Sequence, residues 1–121
     1  KDEPLSLAQL VKKGNVFLKR SKYPTALKMF RAAATQHPNS ADAHYGIGRA
    51  LYDSGKEGES LTSFERAVLI KPSLAGAYVR LGSIYQSKGQ SAKAKRAYSR
   101  YLELAPKGSA AEDVRSILKG L

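Results

Sequence analysis

The chain repeats itself every 34 residues. Prolines, glycines, aromatic residues, small residues and a further set of large residues all recur at that spacing. The five sets are Pro38, Pro72 and Pro106; Gly14, Gly48 and Gly82; Phe30, Phe64 and Tyr98; Ala26, Ser60 and Ala94; and Phe17, Leu51 and Tyr85. A period of about 20 to 50 residues is typical of proteins built from stacked units. The spacing therefore predicts three repeats, at residues 7–40, 41–74 and 75–108.

Each repeat has the pattern of two helices joined by a turn. A glycine inside the first helix costs about 1 kcal/mol relative to alanine, which indicates close approach of a second helix. The second helix carries a small residue and then an aromatic that fills the remaining space, and the proline ends it. Gly55 and Gly89 predict left-handed helix ends, whereas repeat one has Ser21 and opens its second helix near Pro24. The predicted helices are 5–20, 24–36, 41–54, 58–70, 75–88 and 92–104.

Residues 109–119 predict a seventh helix that covers the exposed face of repeat three. Ser109 is expected to cap it, with Glu112 completing a capping box. Val114, Ile117 and Leu118 form an apolar stripe at helical spacing. The end of a stacked array needs such a cap, because its apolar surface would otherwise face water. The predicted fold is therefore all-α, with three helix-turn-helix repeats and a C-terminal capping helix in one domain.

The composition is strongly basic, with 21 Lys and Arg against 10 Asp and Glu and a net charge of +11. Such a charge favours an acidic partner, and it also serves solubility. The absence of cysteine excludes disulfides and thiolate metal sites. No apolar run approaches the roughly 18 residues of a membrane-spanning helix. We interpret a chain that begins at Lys1 as processed or as part of a longer protein, with a cytoplasmic location favoured and a periplasmic or membrane-anchored parent left open.

Neither histidine is placed for catalysis. His37 precedes a turn proline and is expected to be exposed, and His44 falls in the packing column of Leu10 and Tyr78. The sequence contains no pattern of nucleophile, base and acid, no metal-ligand spacing and no phosphate-binding loop. We therefore predict that the chain is not an enzyme and that it uses no cofactor and no metal.

Repeats two and three show the family pattern most clearly. The residues that carry it are His44, Ile47, Gly48, Leu51, Ser60, Phe64, Ala67 and Pro72, followed by Tyr78, Leu81, Gly82, Tyr85, Ala94, Tyr98 and Pro106. The pattern resembles the tetratricopeptide repeat family over residues 7–108, although repeat one has Lys13 in place of an apolar residue and repeat three has Tyr101 where the family favours alanine. The resemblance implies a right-handed superhelix of antiparallel helix pairs. It also implies a concave groove, lined by the first helices, that binds a peptide or helix of another protein.

Residues of the first helices outside the packing columns are expected to face this groove. They are Val11, Lys12, Asn15, Lys19, Tyr45, Arg49, Tyr52, Val79, Arg80, Ser83 and Gln86. Four basic side chains and two tyrosines, with Asp42 as the one carboxylate beside them, predict an acidic, partly apolar ligand. Alternatively, Tyr45 and Tyr52 pack against neighbouring helices. The predicted function is a non-catalytic adaptor or scaffold.

One subclass of the family grips the C-terminal carboxylate of chaperone partners with two lysines, two asparagines and one arginine. Carried over by position, Asn15 and Arg80 match this set. Val11, Gly46 and Gly76 stand where two lysines and an asparagine are wanted. Docking to a chaperone in that mode is therefore not expected.

Two other functions stay open. Nucleic-acid binding would suit the charge and the seven tyrosines, but several tyrosines fall in packing columns and the cations are scattered. Among those cations, Lys93, Lys95, Arg96 and Arg100 form either a solvated face or a second contact surface. Alternatively, the chain is a structural module that stacks on further repeats at its N-terminal edge, near Leu5, Leu7 and Leu10.

Overall fold

The computed structural model of the protein describes residues 3–121, which contain seven α-helices and no strand. The helices are α1 Leu7–Lys19, α2 Tyr23–Gln36, α3 Ala41–Asp53, α4 Glu57–Ile70, α5 Ala75–Ser87, α6 Ser91–Leu104 and α7 Ala111–Gly120. Two compact units divide the chain: the first ends at Ile70 and holds α1–α4, and the second is Lys71–Leu121 with α5–α7. The predicted all-α class is confirmed, with predicted helix ends within two residues of those observed for α1–α6.

In the first compact unit, the glycines of the first helices lie against aromatic rings of the second helices. A Cβ added to Gly14 would come within 2.6 Å of the Phe30 ring, and one added to Gly48 within 2.7 Å of the Phe64 ring. Phe30 also lies against Gly46 of α3, so glycines flank its ring from two helices. Both rings are fully buried. The ring thus takes the space that each glycine leaves, which brings the helix backbones close together.

The second compact unit is built in the same way and is closed by α7. A Cβ on Gly82 would meet the Tyr98 ring at 2.6 Å. Ala111 and Val114 of α7 are buried with Tyr98 and Tyr101 of α6. The apolar side of α7 therefore packs on α6, the second helix of the α5–α6 hairpin, where a stacked array needs a capping helix.

The predicted capping box of α7 is wrong. The N-cap is Ala110 in a helical conformation, with no side-chain cap hydrogen bond, and α7 begins at Ala111. The Ala110 N–H donates instead to the Tyr101 hydroxyl at 3.1 Å. This hydrogen bond ties the start of α7 to α6, and the Ser109 hydroxyl accepts no N–H of the first turn. A capping box is present at α1, where Ser6 and Gln9 exchange hydrogen bonds of 3.2 and 2.8 Å.

The three hairpin turns share one conformation although their residues differ. Gly55 and Gly89 have φ values of 88° and 74°, and Ser21 at the same repeat position has φ 56°. In the first turn, the Lys22 N–H donates to the Phe17 carbonyl at 2.9 Å, which is the long hydrogen bond of a left-handed helix end. Repeat one therefore makes this turn with serine, at the cost of placing an L-residue in the left-handed region.

The turns between repeats are tied by side chains that reach back to the proline carbonyls. His44 Nε2 donates to the Pro38 carbonyl at 2.7 Å, and the Tyr78 hydroxyl donates to the Pro72 carbonyl at 2.8 Å. His44 therefore has a structural role at the column it shares with Tyr78, while His37 is exposed, as expected. Every helix within residues 3–121 is too short or too polar to span a bilayer.

Candidate functional site

A hollow of about 620 Å³ lies on the surface of the first compact unit. Four of the predicted groove residues line it together: Val11, Lys12, Asn15 and Lys19. The remaining lining residues are Leu7, Ala8, Val16 and Asp42. All of them except Asp42 of α3 belong to α1, so two successive first helices contribute to the site. We refer to this site as the α1–α3 hollow.

The lining of the α1–α3 hollow combines aliphatic surface with positive charge. Val11 and Leu7 are half-buried, whereas Lys12 and Lys19 are exposed at its rim. Lys12 and Lys19 lie two helical turns apart on α1, a rise of about 10 Å along the helix. That distance matches acidic residues about three positions apart in an extended peptide or seven apart in a helix. Asp42 adds a single carboxylate on the opposite side.

Tyr45 and Tyr52 of α3 pack against Phe64 of α4. Their ring centroids lie 5.9 and 6.2 Å from that of Phe64, in tilted and edge-on arrangements. Both tyrosines are half-buried, so each supports the hairpin with one side of its ring and leaves part of the side chain accessible. The packing alternative raised from the sequence therefore describes both tyrosines in part.

Arg49 lies beside Tyr45 on α3. Its guanidinium carbon is 5.5 Å from the centroid of the Tyr45 ring, within the range of a cation–π contact. Its Nε atom is buried and has no hydrogen-bond partner within residues 3–121. A buried N–H without an acceptor costs about 1–3 kcal/mol. Arg49 as a whole residue is half-buried, so part of it stays accessible.

The predicted residues of α5 belong to the second compact unit and are partly engaged there. Val79 packs against the buried cluster of Ala94 and Tyr98. The Arg80 Nη1 atom donates to the Gly76 carbonyl at 3.4 Å. The Gln86 Oε1 atom accepts from the Tyr98 hydroxyl at 3.0 Å, a contact that no pattern within the helix indicates. Ser83 is half-buried on the same helix. The part of these residues in binding stays a prediction.

One position of the carboxylate-gripping set is sterically closed in this chain. Gly46 stands where that subclass needs a side chain, and a Cβ there would collide with the Phe30 ring. Asn15 is present at the α1–α3 hollow, but Val11 provides aliphatic surface where a lysine is wanted. The packing of Phe30 thus excludes the complete set from the first compact unit.

Sequence reasoning missed several lining residues of the α1–α3 hollow. Val16 is the clearest case, since it is 38% exposed while Ala50 at the same position of repeat two is fully buried. An aliphatic residue larger than its counterpart was the available signal. Within residues 3–121 no cluster of His, Cys, Asp and Glu is suited to hold a metal ion.

Two family models described as tetratricopeptide repeat match residues 11–76 and 75–107. Hsp70-Hsp90 organizing protein 3 of Arabidopsis thaliana is 32% identical over 95 residues, which are 78% of this chain and 17% of that protein. The chain therefore spans less than a fifth of the length of this relative.

Solved structures share the fold. The first TPR of Spaghetti (RPAP3), bound to the HSP90 peptide SRMEEVD, has a TM-score of 0.84 and 25% identity, over 95% of this chain and 92% of that one. The Arabidopsis OM64 TPR domain has a TM-score of 0.86 and 19% identity, over 95% of each chain.

Proposed function

Because the chain belongs to the tetratricopeptide repeat family, we propose that it is a non-catalytic protein-interaction module that holds an acidic, partly apolar segment of a partner. The binding site in this proposal is the α1–α3 hollow with the neighbouring face of α3. Val11 and the tyrosines Tyr45 and Tyr52 bury apolar groups of the ligand, and Lys12 and Lys19 pair with its acidic residues.

The observation that carries this proposal is the composition of the α1–α3 hollow. Its aliphatic lining rewards burial of apolar side chains at about 25 cal/mol per Å². The two lysines at its rim attract carboxylates, and such rim charges contribute to association rate and selectivity more than to affinity. A ligand with both kinds of group therefore fits better than a purely acidic or a purely apolar one.

Arg49 supports the same proposal from α3. The planar guanidinium, which lies beside the Tyr45 ring, donates through its terminal nitrogens to a carbonyl or carboxylate oxygen of the ligand with defined geometry. In the RPAP3 relative the same fold binds a peptide that contains Glu-Glu and Asp. The present chain lacks the complete carboxylate-gripping set, so recognition here rests on internal side chains of the ligand and not on its C-terminus.

A peptide-binding measurement tests the proposal. The probe is the fluorescent peptide SRMEEVD, prepared both as the free acid and as the C-terminal amide, with a third version in which glutamine replaces both glutamates. We expect the acid and the amide to bind alike and the glutamine version to bind about tenfold more weakly. Binding that requires the free C-terminus would contradict the proposed mode of recognition.

Charge reversal in the protein locates the site. Lys12→Glu with Lys19→Glu should weaken binding of SRMEEVD by about tenfold or more, because attraction becomes repulsion at the rim. The matched control is Lys28→Glu with Arg31→Glu, which changes the same charge on exposed positions of α2. Equal losses in both variants would mean that net charge alone drives binding. Unchanged affinity in the first variant would place the site elsewhere.

Nucleic-acid binding is retained as the second candidate because of α6. Lys93, Lys95 and Arg96 are exposed there, and residues 71–121 hold ten Lys and Arg against three Asp and Glu. The measurement that favours it is an affinity for poly(dT) that falls steeply with salt and is lost in Lys95→Glu with Arg96→Glu. Failure of poly(dT) to bind while SRMEEVD binds would support the interaction module alone.

A further inference from the structure

A second hollow, of about 420 Å³, lies on another side of α1. Its lining residues are Gln9, Lys12, Lys13, Val16, Phe17 and Arg20, and we refer to it as the outer face of α1. Lys12 and Val16 also line the α1–α3 hollow and therefore form the ridge between the two sites. The other four residues belong to the outer face alone. The proposed function makes no use of them.

Repeat two shows what this side of a first helix normally does. The positions equivalent to Gln9, Lys12 and Val16 are Ala43, Gly46 and Ala50 of α3. All three are buried against α2: Ala43 clusters with Ala33, Ala50 clusters with Ala26 and Phe30, and the Phe30 ring lies on Gly46. This side of a first helix, when it carries small residues, thus packs against a neighbouring helix.

The equivalent side of α1 carries larger and more polar residues than that of α3. Gln9 and Lys12 are exposed, and Val16 is 38% exposed at the position where Ala50 is fully buried. A helix that packed here as α2 packs on α3 would find no glycine for its aromatic ring, because Lys12 stands where α3 has Gly46. The stacking of a further repeat on α1 in the register of α2 on α3 is therefore disfavoured.

The outer face of α1 carries uncompensated positive charge beside an apolar strip. Its lining contains Lys12, Lys13 and Arg20 and no carboxylate. Within residues 3–121 none of these three cations forms an ion pair. Val16 and Phe17 lie between them, and Lys13 and Arg20 are two helical turns apart. A complementary surface must therefore supply both carboxylates and aliphatic groups at helical spacing.

We propose that the outer face of α1 docks an acidic amphipathic helix of a separate protein, which packs across α1 without the ring-on-glycine contact that α2 makes with α3. Aliphatic residues of that helix cover Val16 and Phe17, and its acidic residues pair with Lys13 and Arg20. This interface is distinct from the α1–α3 hollow and can be occupied by a different partner. The proposal does not depend on ligand binding in that hollow.

A second copy of this chain is a poor occupant. The chain has 21 Lys and Arg against 10 Asp and Glu, so the basic surfaces of two copies repel each other. Nucleic acid is also a poorer match, because Val16 and Phe17 place an apolar strip between the cations where a phosphate backbone would need further donors.

Chemical-shift mapping of the 15N-labelled protein tests this proposal. The probe is a synthetic helix of 14 residues, the length of α2, with leucines along one side and glutamates flanking them. A control helix has glutamine at each glutamate position. We expect the glutamate helix to shift the amide signals of Gln9, Lys13, Phe17 and Arg20 and to leave Asn15 and Lys19 unchanged. The control helix should bind about tenfold more weakly.

Variants separate this site from the proposed groove. Lys13→Glu with Arg20→Glu should weaken binding of the glutamate helix about tenfold and leave SRMEEVD binding unchanged, because neither residue lines the α1–α3 hollow. Lys28→Glu with Arg31→Glu is the matched control, and the helicity of every variant is checked by circular dichroism.

Four outcomes would overturn the proposal. Signal changes confined to Asn15 and Lys19 would assign the glutamate helix to the α1–α3 hollow. Equal weakening by the control variant would reduce the effect to net charge. Displacement of the helix by poly(dT), or dimerisation of the free protein with loss of the Lys13 and Arg20 signals, would replace the acidic helix by nucleic acid or by a second copy.

Discussion

Helices α1 and α3 hold the same place in successive repeats, yet the same side is exposed in one and buried in the other. Gln9, Lys12 and Val16 of α1 correspond to Ala43, Gly46 and Ala50 of α3. Packing within each hairpin is alike in the two repeats, because both keep a glycine against an aromatic ring. The repeat period therefore preserves the hairpin, and departures from it show where a helix meets a different neighbour.

The largest expected effect comes from removing the ring that joins both helices to α2. Phe30→Ala should destabilise the first compact unit by about 3–5 kcal/mol, because it leaves a cavity between Gly14 and Gly46. Urea unfolding followed by circular dichroism measures this change. Phe17→Ala, at a half-buried residue of α1, is the comparison and should cost less. Equal costs would mean that Phe30 is not the central contact.

Matched substitutions on α1 and α3 test the comparison directly. Gly46→Ala should destabilise the protein by about 1–3 kcal/mol, although alanine favours helix, because the added methyl collides with the Phe30 ring. Lys12→Ala at the same repeat position should change stability by less than about 0.5 kcal/mol, since Lys12 is exposed. Thermal unfolding of both variants gives the answer. Similar losses in the two would show that something covers α1 in solution.

The two ends of the helical array offer a second comparison, between capping signals that look alike in sequence. Ser6→Ala should cost about 1 kcal/mol, because Ser6 accepts the Gln9 N–H, whereas Ser109→Ala should cost almost nothing. Tyr101→Phe should cost about 1 kcal/mol, because it removes the acceptor of the Ala110 N–H. Denaturant midpoints measure all three. A clear loss in Ser109→Ala would reinstate the capping box at α7.

The smallest expected effect concerns the left-handed turn residues. Ser21→Gly should stabilise the protein by about 0.5 kcal/mol, because glycine adopts φ 56° without the steric cost of a Cβ and loses part of that gain to chain entropy. Gly55→Ser is the reverse change at the equivalent turn and should lower the melting temperature. A loss of stability in Ser21→Gly would indicate that the serine side chain contributes to the first turn.

Residue types and their spacing were enough to predict the helices, their order and the packing within each hairpin. Gly14, Phe30 and Pro38 recur at one period with Gly48, Phe64 and Pro72, and each residue type has a cost or shape that only a helical hairpin satisfies. These residues can be recognised in the sequence because their contacts lie within one repeat. The same residue types then recur at the repeat period. The same reasoning brought Lys12, Asn15 and Lys19 to one side of α1, where the structure places them in a single hollow.

Contacts between helices, which the sequence pattern did not predict, set which polar groups have partners and which surfaces stay open. The Tyr101 hydroxyl accepts the Ala110 N–H at the start of α7, where a Ser109 cap was expected, and Gln86 accepts from a tyrosine of the next helix. The Phe30 ring blocks a side chain at the position of Gly46, whereas the equivalent position on α1 carries the exposed side chain of Lys12. The physical reason is common to all of these. A hydrogen bond or a packing contact between helices depends on which atoms of another helix come within reach. The repeat period does not predict which atoms these are.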